Sequence, residues 1–108
     1  MVGVRFRFHA TASGRSAPLE GILALPEWER GQVLADLKIV SEGGRVIAAS
    51  VKSIKGSKGL FEIRTLGFRT YCVRDGDGIT WVVGFSTKQG GEQAREIERA
   101  TKRARDIE

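Results

Sequence analysis

Cysteine is almost missing from this chain. Cys72 stands alone, which excludes an internal disulfide and a cysteine metal cluster. A single small apolar thiol in a strand-like stretch reads as a packing residue, and a reducing, cytoplasmic location follows as the default. Histidine is equally scarce: His9 is the only one, and in the first strand it reads as a structural residue rather than a catalytic one. No apolar run approaches the roughly 20 residues of a membrane span, so no membrane is expected. The opening stretch, MVGVRFRFHA, lacks the long apolar segment of a secretory signal. No metal and no cofactor is expected.

What is present is a basic globular chain. Its 108 residues suit one domain over 1–108, and 41% hydrophobic with 29% charged residues fits a soluble fold. The net charge is +5. Residues 45–74 hold seven basic side chains (Arg45, Lys52, Lys55, Lys58, Arg64, Arg69 and Arg74) against Glu62 alone, an excess of +6. The remainder, with eleven basic and twelve acidic residues, carries −1. A local excess of this kind points to an anionic partner for that part of the surface.

Periodicity gives the elements. Val4 to His9 alternates apolar and polar, a half-buried strand with Val4, Phe6 and Phe8 inward and Arg5, Arg7 and His9 outward. Ser16 can cap a helix that Pro18 enters in its first turn, and Leu25 before Pro26 ends it. Pro26 opens a second helix with Glu27 and Glu29 in its first turn. Val33, Leu34, Leu37 and Val40 line one face, Trp28 packs at the start, and Gly43-Gly44 stops it. Residues 18–42 thus read as a helical hairpin. Arg45 to Gly59 reads as a mobile basic connector.

Leu60–Thr65, Phe68–Arg74 and Ile79–Ser86 read as three strands. Leu66-Gly67 turns between the first two, and the Asp75-Gly76-Asp77-Gly78 connection leads to the third. That connection resembles a calcium loop, but the spaced third ligand and the bidentate glutamate are missing. Strict alternation puts Phe61, Ile63, Phe68, Cys72, Trp81, Val83 and Phe85 on a core face. Glu92 to Glu108 is a helix with a thin stripe of Ala94, Ile97, Ala100, Ala104 and Ile107.

The expected fold is α+β, in the order β-α-α-β-β-β-α. Its four-stranded, mainly antiparallel sheet has the hairpin on one face and the other face open. The open face collects Arg5, Arg7, His9, Arg64, Arg69 and Tyr71, a basic surface of the kind that holds RNA.

Several strings resemble the HigB-like branch of the RelE/ParE toxin superfamily. Val51-Lys52-Ser53-Ile54 with Gly59-Leu60-Phe61-Glu62-Ile63-Arg64 is similar to that branch's lysine-bearing approach and L-F-E-L-R strand. Phe68-Arg69-Thr70-Tyr71 looks like its next strand. Phe85-Ser86-Thr87-Lys88 and Glu96-Ile97-Glu98-Arg99-Ala100 look like its F-x-K-K and E-I-x-x-A segments. Thr87 stands where the branch has a first lysine. His9 lies in the first strand, whereas some members use a histidine near the C-terminus.

The resemblance implies a RelE-like fold, the toxin part of a type II toxin–antitoxin system, and ribosome-dependent cleavage of mRNA. Its implied partners are the ribosome with its mRNA and a cognate antitoxin, expected to be a helix-turn-helix protein. ParE relatives on the same fold poison gyrase instead, and a non-catalytic RNA- or partner-binding module is the third alternative. RNA supplies its own 2′-OH nucleophile, so cations that align and neutralise the phosphate are the required chemistry. Arg64 and Arg69, then Lys52 and Lys88, are the candidate catalytic residues. Arg5, Arg7, Lys55, Lys58 and Tyr71 are the candidate RNA-binding ones.

Overall fold

The computed structural model describes residues 5–43, 50–87 and 92–107. The elements run β1 (Phe6–Phe8), α1 (Ala17–Leu23), α2 (Glu27–Ser41), β2 (Ser50–Ser53), β3 (Phe61–Thr65), β4 (Phe68–Arg74), β5 (Thr80–Ser86) and α3 (Gln93–Ala104). They form a five-stranded mixed sheet in the order β1-β5-β4-β3-β2. β1 runs parallel to β5, and every other pair is antiparallel.

Local chemistry explains most boundaries. Ser16 caps α1 by accepting from the Leu19 amide at 3.4 Å. Glu27 and Glu29 occupy the positive end of α2, and Lys38 sits near its negative end. Leu66 and Gly67, both at positive φ, make the tight turn that fixes Arg64 opposite Arg69 and Glu62 opposite Tyr71. In the β4–β5 connection, Asp75 Oδ1 accepts from the amides of Asp77 and Ile79, and Oδ2 accepts from Trp81 Nε1 at 2.8 Å. Both oxygens are thereby engaged within the turn, where they fix the register of β5.

Two apolar layers flank the sheet. On one side α1 and α2 bring Ile22, Val33, Leu37 and Val40 onto Ile63, Phe68, Cys72, Val82 and Phe85. On the other side α3 lays Ala100, with Ile97, Ala104 and Ile107, on Tyr71, Val73, Trp81 and Val83. Burial pushes the Cys72 thiol far up, as suits a packing residue.

Four sequence expectations are corrected here. The connector before Gly59 contains a fifth strand, β2, whose Val51 and Lys52 pair with Ile63 and Glu62. The sheet is a mixed one, because β1 joins beside the last strand and runs parallel to it. Trp28 stands 64% exposed instead of packing at the start of α2. The supposed open face is covered over β4 and β5 by α3, and Tyr71 on it is fully buried.

A further irregularity lies in β5. Tyr71 pairs with Gly84 and Cys72 with Val82, so Val83 is an extra residue in β5. The bulge breaks the alternation. Trp81 and Val83 consequently turn to α3, whereas Val82 and Phe85 turn to the hairpin. The extra residue's carbonyl is met by the Arg103 guanidinium of α3 at 2.9 Å.

Candidate functional site

Paired residues of an antiparallel sheet share a face, and the register therefore draws the site. One row across β2, β3, β4 and β5 is Ser50, Arg64, Arg69 and Ser86. The next is Lys52, Glu62, Tyr71 and Gly84. Both rows lie on the α3 side. The helix reaches over β4 and β5; at the β2–β3 end Lys52 is exposed and Arg64 partly so, whereas Glu62 is buried.

Glu62 organises the cluster. Its side chain is 6% exposed, and its Oε2 accepts from Arg64 Nε at 2.8 Å. Arg69 Nε lies 3.5 Å from the same oxygen without making a hydrogen bond, a buried donor with no acceptor. Arg69 Nη1 donates to Gln93 Oε1 at the start of α3. Arg64 retains a side-chain exposure of 36%, and Lys52 is exposed beside it on β2. Two guanidinium groups thus meet one carboxylate, with positive charge left over, and the exposed Lys52 is the cross-strand neighbour of Glu62 on β2. A buried orphan donor within such a group suits an anionic oxygen.

Tyr71 belongs to the core beneath this cluster. Its hydroxyl is 3.0 Å from Ser86 Oγ, and burial pushes the phenol up against the smaller opposing effect of that hydrogen bond. Its ring has no access to a base while α3 is seated, which corrects its reading as a stacking platform. Next to Ser86 a polar cavity of about 250 Å³ is lined by Glu92, Arg95, Glu96 and Arg99 of α3.

The remaining candidates are scattered. Lys55 and Lys58 are exposed in the β2–β3 loop, which Ser57 Oγ ties to Thr101 of α3 at 2.9 Å. Arg7 is in β1 and Arg5 immediately precedes it, three strands from β3, so they are not part of the same cluster. Arg7 instead lies 6.0 Å over the Trp81 ring. A depression of about 330 Å³ is lined by Arg5, Glu42 and Arg74 among others and belongs to that distant end. His9 is buried and reaches Asp106, beyond α3, at 2.9 Å. Lys88 lies outside the described residues. No group of three or more His, Cys, Asp or Glu side chains among the described residues is placed to hold a metal ion.

Sequence reasoning missed Glu62, Gln93 and Arg103 as members of the arrangement. The signal for Glu62 was present. A two-residue turn at Leu66-Gly67 dictates that Arg64 faces Arg69, and Glu62 lies on the same side two residues earlier.

Comparison of the chain with family models, with curated proteins and with solved structures finds no match. Fold and site therefore define a class in structural terms: an α+β protein that carries a carboxylate-centred arginine pair at the uncovered end of a mixed five-stranded sheet.

Proposed function

We propose that this chain is a metal-independent endoribonuclease acting on mRNA at the ribosome, the toxin of a toxin–antitoxin pair. The observation that carries the reading is the pair Arg64 and Arg69 at Glu62, with a buried Arg69 donor left unpaired and Lys52 next to Glu62 in the sheet register. The local basic excess and the strings resembling HigB-like toxins support it.

In this reading the RNA phosphate sits against Arg64 and Arg69, with Lys52 closing the outer side. The 2′-oxygen bonds to phosphorus as the P–O5′ bond breaks, and the departing O5′ takes a proton from solvent water, leaving a 2′,3′-cyclic phosphate and a 5′-hydroxyl. The two guanidinium groups stabilise the charge that accumulates on the non-bridging oxygens. Glu62, already against both arginines, takes the 2′-OH proton and holds the arginines in place.

Inducible expression with mapping of mRNA 5′ ends tests this. Growth arrest with discrete new ends is expected, and Arg64→Ala with Arg69→Ala abolishes both. Glu62→Gln keeps RNA binding but lowers cleavage by about 10²-fold or more. Arrest with intact mRNA sinks the reading. A gyrase supercoiling assay then examines the ParE-like alternative. One observation favours a module that binds RNA without cutting it: Glu62 already neutralises part of the arginine pair. That module predicts salt-sensitive binding without new 5′ ends.

A further inference from the structure

We infer that the outer edge of β2 is a docking site for an extended acidic segment of a partner protein, which adds a sixth strand to the sheet. β2 is the terminal strand of the order β1-β5-β4-β3-β2, and among the described residues no strand lies beyond it. The hydrogen-bonding phase can be read from the loop. The Ile54 amide donates to the Leu60 carbonyl at 2.9 Å, so position 54 bonds inward to the β3 side. Phase alternates along an antiparallel strand. Lys52 and Ser50 therefore also bond inward, whereas Val51 and Ser53 turn their N–H and C=O groups outward. Those outward groups form a template for an incoming strand.

Side chains define what fits. Val51 shares the α2 face with its partner Ile63 and is 51% exposed, an apolar surface at the sheet's rim. Lys52 lies on the opposite face, and Lys55 and Lys58 follow with no acidic residue anywhere from 50 to 60. An added strand thus meets an apolar side chain on one face and ammonium groups on the other. The matching sequence alternates apolar and acidic residues. A lysine on an edge strand ordinarily deters self-pairing. A second copy would bring its own Lys52 and Lys55 into this one, so the same lysines that repel another copy attract an acidic strand. The opposite edge, β1, spans three residues and exposes no large apolar side chain.

The test uses the full chain and a fluorescently labelled peptide of about seven residues, ordinary strand length, with Glu and Val alternating. A peptide of the same composition in scrambled order is the control. The alternating peptide is expected to bind about tenfold or more tighter than the control. Ser53→Pro removes an outward N–H, leaves the β2–β3 ladder intact, and weakens binding by about tenfold or more. Lys52→Glu reverses the preference toward a Lys–Val alternating peptide. Backbone amide NMR of the parent protein keeps the inference testable without any variant. The Val51 and Ser53 amides gain protection from exchange on peptide binding, while the Lys52 amide, already bonded inward, changes little. Equal binding of both peptides, absence of binding, or undiminished binding by a folded Ser53→Pro protein overturns the inference. None of these readouts depends on RNA cleavage.

Discussion

At the scale of single residues, the arrangement depends on two carboxylates that gather donors around them. Glu62 accepts from Arg64 with Arg69 beside it, and Asp75 accepts from three donors of its own turn and strand. The hydrogen bond from Trp81, aided by the Ile79 and Asp77 amides and by Arg7, holds the Asp75 carboxyl below its ordinary value of 3.8. The sign follows by linkage. A carboxyl with a folded pKa lowered below the unfolded one binds fewer protons when folded. It therefore adds stability at pH values above the unfolded pKa, and that stability is lost as pH falls through the folded one. Asp75→Asn keeps an oxygen for the turn amides but sets an NH₂ against the indole N–H. The variant is expected to melt lower than the parent at pH 7, with the gap closing below pH 3.8. Thermal melts followed by tryptophan fluorescence at both pH values check this, and a gap independent of pH contradicts it.

At the scale of elements, the decisive feature is how closely α3 approaches the sheet. Gly84 permits it: a Cβ there would sit 3.0 Å from Ala100 Cβ and 3.1 Å from the Tyr71 ring. Gly84→Val is therefore expected to lower stability by about 1–3 kcal/mol through overpacking. It should also raise amide exchange in α3 more than in α2. Gly31 is the control, in an exposed stretch of α2 where a Cβ meets nothing within 4 Å. Gly31→Ala should stabilise by about 0.5–1 kcal/mol. Chemical denaturation of the two variants separates the cases. Seven of the eight elements were legible from periodicity, caps and turns, because those signals are local. β2 was not, since Ser50-Val51-Lys52-Ser53 is too short and polar to show a clear alternation and only pairing with β3 makes it a strand. The bulge at Val83 was also invisible, and with it the fact that Phe85 and Trp81 face opposite layers. Of the site, the arginine pair could be read from the turn. The burial of Tyr71 could not, because it depends on where a helix distant in sequence comes to rest.

At the scale of the whole molecule, the +6 excess read along residues 45–74 does not form one surface. Arg74 turns to the hairpin side, where its guanidinium donates to the Val40 carbonyl at 3.1 Å and lies 5.6 Å over the Phe61 ring. Lys52, Arg64 and Arg69 share the α3 side, and Glu62 offsets part of their charge. Arg5 and Arg7 sit at the far edge. Under the proposed function, the phosphate contacts that the described residues offer a single strand lie on one side of the sheet, at one end, and Lys55 and Lys58 border it. About three neutralised phosphates give a slope of roughly −2 in log K against log salt for a single strand. Fluorescence anisotropy with a short oligoribonucleotide at several sodium chloride concentrations measures that slope. Lys52→Ala should reduce its magnitude by about 0.7, whereas Arg74→Ala should leave it unchanged while lowering stability through the lost cap on α2. A slope that responds to Arg74 and not to Lys52 would move the RNA surface to the other side of the sheet, away from Glu62 and its arginines.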